Sequence, residues 1–256
     1  MPVELLPEKT RSVFLSDLHL DWRLSQPDAA LEFLTACDPR YVYLVGDTFE
    51  GLHRSLDLGS ENAKRLWHAL ERLAARGAEV VILTGNHDSA LAGMSRDIPF
   101  RTGAYAIHTN LRGERFLVTH GDIFDCLDPE AKTPTKELGS WFYPWLVRSG
   151  DLLQWLRILP RVQRKTWCDY WKVKIRRARA HVDAFERGMV ELAQRYGCDG
   201  VVCGHIHRPD AKQLHHGWYF NCGDWVEHRS CVLETYDGAM RLVDDLMSPQ
   251  FKSEAA

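Results

Sequence analysis

A chain of 256 residues suits one large domain, or one domain carrying an insertion, with an ample apolar core. Its 45% hydrophobic and 26% charged residues are ordinary for a globular protein, and a net charge of −3 gives no whole-protein case for nucleic acid binding. No apolar run approaches the length of a membrane span, and seven scattered cysteines without a C-x-x-C pair exclude a disulfide framework or zinc knuckle.

In chain order, MPVELLPEKT has acids and prolines where a signal peptide needs an apolar core. With the cysteines read as reduced thiols, this places the chain in the cytoplasm, where any membrane contact is peripheral. Residues 12–16 read as a strand and 17–24 as a loop. Residues 27–37 have helical spacing, and Asp38-Pro39 stops them. The run YVYLVGDTFE at 41–50 is a buried strand that ends in Gly46 and Asp47. Residues 61–76 form an amphipathic helix with Leu66, Leu70 and Leu73 on one face and Gly77 beyond its end. The strand in EVVILTGNHD follows, then a hairpin of 104–109 and 115–120 around 110–113. Strand–helix–strand–helix–strand in this half predicts a largely parallel sheet. The end of the chain is β-rich, with strands at 200–203, 218–221, 229–235 and 239–244, and residues 248–256 read as a frayed tail.

Between the halves the composition changes. Residues 148–179 hold ten Lys/Arg and two acids, a balance of +8 that leaves −11 for the rest. Five of the nine tryptophans (Trp141, Trp145, Trp155, Trp167, Trp171) fall in or just before this stretch. Leu152, Trp155, Leu156 and Leu159 share a helical face. A last helix runs through about 172–196, with Val182, Phe185, Met189, Leu192 and Tyr196 at core spacing. Residues 126–181 are therefore read as a helical insertion in a core made of 10–125 and 182–247.

Five short elements each follow an apolar strand: Asp17-x-His19, Gly46-Asp47-x-x-Glu50, Gly85-Asn86-His87-Asp88, His120-Gly121-Asp122 and Gly204-His205-Ile206-His207. Strand C-terminal ends are where open α/β sheets place ligands. One metal ion would not use all these donors, but two would. Imidazole and carboxylate without thiolate favour Mn²⁺, Fe or Zn²⁺ over Ca²⁺ or Mg²⁺. Two ions roughly 3.5–4 Å apart can activate water and polarise phosphoryl oxygens during in-line attack. The glycines let backbone approach a small polar centre. Glu50, Asp88 and Asp122 are read as acids that orient the histidines. His53, His68, His108, His181, His215, His216 and His228 match no motif and are read as core or surface residues.

The set and order resemble the calcineurin-like metallophosphoesterase superfamily, across most of the chain outside the insertion. The resemblance implies a four-layer αββα sandwich of α+β or α/β class, with a helical cap. It implies that Asp17, His19, Asp47 and His207 hold one divalent metal, that Asp47, Asn86, His120 and His205 hold the other, and that Asp47 bridges them. Asp47 is thereby a catalytic residue, together with His87, which hydrogen-bonds the phosphoryl group or protonates the leaving oxygen.

With SDLHL, GDTFE and the run Tyr219–Glu227, the chain looks like the bacterial UDP-2,3-diacylglucosamine hydrolases of lipid A synthesis and their relatives. That family cleaves its substrate at the α-phosphate to UMP and 2,3-diacylglucosamine 1-phosphate. It works at the cytoplasmic face of the inner membrane, usually with Mn²⁺, and its cap holds the acyl chains. Here the insertion's aromatic and leucine faces would line an acyl pocket. Arg164, Lys165, Lys172, Lys174, Arg176, Arg177 and Arg179 would meet the diphosphate or anionic headgroups. The best-known members carry Arg where this chain has His87, as the wider superfamily does. The alternatives are another lipid-linked or nucleotide phosphoester as substrate, and a non-catalytic binding module of the same fold. The latter typically lacks several ligands, and none is missing here. A nuclease reading, with the basic insertion as a groove, fits the leucine-rich faces less well. Oligomeric state is not legible.

Overall fold

The apolar runs that open the chain become neighbours in one parallel sheet. The computed structural model describes residues 10–20, 22, 24–49, 60–88, 99–124 and 179–244. Strands β1 (Thr10–Leu15), β2 (Tyr41–Val45) and β3 (Glu79–Leu83) pair in parallel, with Val13 beside Val42 and Val42 beside Val80. Parallel pairing needs a crossover, and helices α1 (Pro27–Cys37) and α2 (Glu61–Ala75) supply the two. Asp38 ends α1 at φ 40°, at the stop read from Asp38-Pro39. Ser60 starts α2, its hydroxyl accepting the N–H of Ala63 at 3.1 Å.

The remaining strands among the described residues are β4 (Arg101–Gly103), β5 (Tyr105–Thr109), β6 (Arg115–Thr119), β7 (Gly200–Cys203), β8 (Asp210–Leu214), β9 (Gly217–Asn221), β10 (Cys231–Thr235) and β11 (Met240–Val243). They complete one sheet in the order β11-β10-β1-β2-β3-β4 and a second in the order β5-β6-β7-β9-β8. The hairpin of β5 and β6 is antiparallel, as the sequence predicts.

Alternation along the strands creates two apolar layers. Val13, Leu15, Val42 and Leu44 face Leu34, Leu66, Leu70 and Leu73 of the helices. Phe14, Tyr43, Val45 and Val81 face Phe116, Val118, Val202 and Phe220 of the second sheet. A one-residue slip of β1 or β2 would exchange the layers, so register is firmly set. On the far side of the second sheet, Leu117, Val201 and Tyr219 are buried, as are Met189, Val190 and Ala193 of a helix that includes 187–195. Gln194 of that helix donates to the His216 carbonyl at 2.8 Å. The layers run helix, sheet, sheet, helix, which is the expected sandwich.

The chain divides into two compact units, Met1–Asp122 with Arg187–Ala256, and Ile123–Glu186. Within the second, Phe124 and Phe185 meet edge to face at 5.4 Å. Most of the segment read as a cap lies outside the described residues. Among the described residues, no helix is long and apolar enough to cross a membrane.

Three features depart from the sequence reading. The edge strands β4 and β8 were not expected, and Tyr196, placed at core spacing, is exposed beyond the helix end, against Tyr105. An ion cluster built on the buried carboxylate of Glu234 lies between the sheets. Glu234 accepts from Arg11 at 2.6 and 2.7 Å, from the Leu111 N–H at 2.9 Å and from Ser12, with His108 Nε2 at 3.0 Å. Tyr43 Oη lies 3.1 Å from the other ring nitrogen of His108. That accounts for His108 as a core residue.

Candidate metal centre

The donors lie just beyond the C-terminal ends of β1, β2, β3, β6 and β7. There the β1–β2 ladder continues past the strands: Asp17 N–H donates to Gly46 O at 3.2 Å and His19 N–H to Asp47 O at 3.0 Å. These bonds hold an unusual backbone. Among the described residues seven non-glycine residues have positive φ, and five of them are Asp17 (54°), His19 (42°), Asp47 (51°), His205 (71°) and His207 (51°). Such conformations cost about 1–3 kcal/mol each and persist where the surroundings over-determine them, often at functional sites.

Asp17, Asp47 and His120 are each tied by one atom and aimed by another. Asp17 Oδ2 accepts from Ser16 Oγ at 2.6 Å and His205 N–H at 3.0 Å, which leaves Oδ1 facing His207 Nε2 (3.1 Å) and His19 Nε2 (3.8 Å). Asp47 Oδ1 accepts from His87 N–H at 2.9 Å, while Oδ2 faces His120 Nε2 at 3.2 Å. The Nδ1 of His120 lies 2.9 Å from Val45 O, so it carries the proton, and Nε2 points at the carboxylates.

Among the described residues two groups of three donors result, Asp17–His19–His207 and Asp17–Asp47–His120, each with its ligand atoms within 4.8 Å of one another. Asp17 is common to both groups. It presents Oδ1 toward His207 and His19, and Asp47 presents Oδ2 toward His120. His205 stacks edge-on against His120, with ring centres 5.2 Å apart. Asn86 is exposed at the end of β3, and half-buried His87 stands edge-on to His19 at 5.2 Å.

The donor set fits a divalent cation. Asp17 Oδ1 and His120 Nε2 are fully buried yet make no hydrogen bond of good geometry, although each lies within ion-pair distance of an opposite group. Burial raises the Asp17 carboxyl, but His207, His120 and His19 outweigh it and hold it well below the usual range. Burial lowers His120, yet Asp17 and Asp47 hold it up at about 9. The buried carboxylates thus demand positive charge, which a metal ion answers without a proton.

Two glycines show why no side chain is tolerated. A Cβ on Gly85 would run into Asp47, and one on Gly204 into Ser16 and Asp17. Buried Asp88 has a different role from the one expected of it: its carboxylate accepts backbone N–H groups of Thr48 (2.9 Å) and Gly85 (2.5 Å), so it shapes the loops rather than a histidine. Glu50 lies outside the described residues, as do Arg164, Lys165, Lys172, Lys174, Arg176 and Arg177; Arg179 is exposed.

Sequence reasoning missed two neighbours of the centre. The Trp22 ring stacks on His19 at 4.0 Å. Asp224 lies against His207 and His228, at 3.5 and 3.0 Å, and His228 is a satisfied, partly exposed loop residue. The signal for Asp224 was present: Phe220-Asn221-Cys222-Gly223-Asp224 repeats the strand-then-Gly-Asp pattern of Asp47.

A family model of calcineurin-like phosphoesterases matches residues 10–209. The UDP-2,3-diacylglucosamine hydrolase of Aeromonas salmonicida (strain A449) is 26% identical over 246 residues, covering 90% of this chain and 92% of that protein. The enzyme of that name from Xanthomonas campestris pv. campestris is 28% identical over 254 residues, covering 89% and 96%. Among solved structures, Yfce, a phosphoesterase from E. coli, is 19% identical and covers 91% of this chain and 97% of its own, with a TM-score of 0.45. By the match over residues 10–209, the chain belongs to the calcineurin-like phosphoesterase family and is a hydrolase.

Proposed function

We propose that this hydrolase cleaves the pyrophosphate bond of UDP-2,3-diacylglucosamine, giving UMP and 2,3-diacylglucosamine 1-phosphate. One observation carries the chemistry: the carboxylates of Asp17 and Asp47 and the imidazole of His120 are each tied by one atom and aimed by another at a common polar centre. Support for the substrate comes from relatives of nearly equal length that bear that enzyme's name.

Asp17, His19, Asp47 and His207 would hold one divalent ion, and Asp47, Asn86, His120 and His205 the other. Mn²⁺ suits these nitrogen and oxygen donors, as do Fe and Zn²⁺. When bound, such ions make water a nucleophile near neutral pH and draw charge from phosphoryl oxygens. The protein's own part is to orient. Asp88 fixes the loops after β2 and β3, so the peptide N–H of His87 reaches Asp47 and its ring stands at the rim. The His87 ring donates to a phosphoryl oxygen. Because the leaving group is itself a phosphate, with a second pKa of about 6, it departs with little help from an acid. Donation to the phosphoryl oxygen therefore matters more than proton delivery.

Residues 126–181 would supply the acyl-binding cap, with core segments 10–125 and 182–247. Their tryptophans and leucines would take the acyl chains. Arg164, Lys165, Lys172, Lys174, Arg176, Arg177 and Arg179 would meet diphosphate or anionic headgroups at the cytoplasmic face of the inner membrane. His87, where the best-known hydrolases carry Arg, favours a second reading, in which the substrate is another lipid-linked or nucleotide phosphoester.

Product analysis separates the two. After chelation and Mn²⁺ addition, UDP-2,3-diacylglucosamine in detergent should yield UMP and the lipid 1-phosphate. Turnover of a small chromogenic diester with none of the lipid substrate would point to the second reading.

A further inference from the structure

Asp224 is a buried carboxylate to which the reaction above gives no task. It is 2% exposed. Its Oδ1 accepts the N–H groups of Val226, Glu227 and His228 at 2.8, 2.6 and 3.2 Å, which locks the side chain to the turn after β9. Its Oδ2 faces two imidazoles, His228 Nδ1 at 3.0 Å and His207 Nδ1 at 3.5 Å. His207 turns its opposite nitrogen toward Asp17 Oδ1 (3.1 Å) and His19 Nε2 (3.4 Å). The Trp225 peptide N–H also donates to Asp17 O at 3.2 Å, so the Asp224 turn is bonded directly to the β1 loop.

We propose that Asp224 is a positioning residue for the metal centre, holding His207 through Nδ1 so that Nε2 presents its lone pair to the ion. His228, 37% exposed at its side chain, braces the same oxygen from the outer side. A carboxylate behind a ligating histidine fixes tautomer and ring orientation, and its loss typically weakens metal binding 10–100-fold. The competing account is that Asp224 only caps its turn through Oδ1.

Asp224→Asn distinguishes them, because the amide oxygen still serves the turn while its NH₂ opposes Nδ1–H. The inference rests on the metal-centre reading, so binding is measured directly. Metal-free wild type, Asp224→Asn, His207→Ala and the double variant are titrated with Mn²⁺ by calorimetry. Wild type should take two ions. Asp224→Asn should bind one of them 10–100-fold more weakly, and adding it to His207→Ala should cost nothing more, since it acts only through that ring. Wild-type affinity in Asp224→Asn, or the same extra loss on top of His207→Ala, overturns the proposal. A wild type that binds no ion would instead overturn the metal centre itself. Should Asp224→Asn not fold, zinc-loaded wild type decides by NMR. A His207 Nδ1–H protected from exchange and shifted by the carboxylate is expected, and a rapidly exchanging one contradicts the role.

Discussion

Asp17 Oδ1 lies 3.1 Å from His207 Nε2, and these residues stand 190 positions apart in the chain, at the ends of strands in different sheets. Their meeting joins the two halves of the sandwich at one end. The other oxygen of Asp17 accepts the N–H of His205, two residues before His207, so a single carboxylate both staples and faces the Gly204–His207 loop. This geometry makes the centre a property of both sheets, and its loss should be felt from either.

Asp47→Ala and His120→Ala should each abolish hydrolysis. Asp47 loses its grip on the His87 N–H as well as its free oxygen, and His120 is the imidazole nearest that oxygen. Steady-state assays with metal analysis check this. Wild-type turnover in either variant would remove that residue from the centre.

Gly204→Ala should nearly silence the enzyme although it adds only one methyl and no charge. The new Cβ meets Ser16 and Asp17, and displacing them moves the Asp17 carboxylate. Overpacking of this kind costs about 1–3 kcal/mol, so a lowered melting temperature should accompany the lost activity.

His87→Ala should lower turnover roughly 10²–10⁴-fold, the usual range for acid–base groups, with metal content kept. Because the ring acts on the phosphoryl oxygen, the loss should be of similar size for an alkyl diester and for a pyrophosphate. An emptied metal site would show that the ring binds metal instead.

The Glu234 cluster predicts a specific acid sensitivity. Burial raises this carboxyl, but His108, Ser12 and Arg11 outweigh burial and hold it near 2, against 4.5 for a free glutamate. A depressed pKa stabilises the fold fully above about 4.5, and that contribution is lost as pH falls toward 2. Glu234→Gln should therefore be less stable than wild type at neutral pH, and the gap should close below pH 4, as denaturant titrations at several pH values would record.

The sequence made the site more legible than the sheets. Asp17, Asp47 and His120 could be read because each follows an apolar run with a loop residue that has no packing reason to be there. Strand β8, DAKQL, offers no such run: it is an edge strand whose alternate residues face solvent, and only pairing with β9 defines it. Strand β4 has three residues and depends on β3 in the same way. Periodicity places Tyr196 in the core, because it does not register that the helix stops at 195 and that Gly197 turns the chain at φ 68°. Asp224 carries the same strand-then-Gly-Asp pattern as Asp47, but only the turn after β9 shows that its partners are His207 and His228.

Anomalous diffraction from crystals grown with Mn²⁺ tests the metal pair most directly. Two peaks are predicted within a few ångströms of each other, one among Asp17, His19 and His207 and the other beside Asp47 and His120. Well-ordered side chains there without either peak, or peaks at an unrelated place, would contradict it.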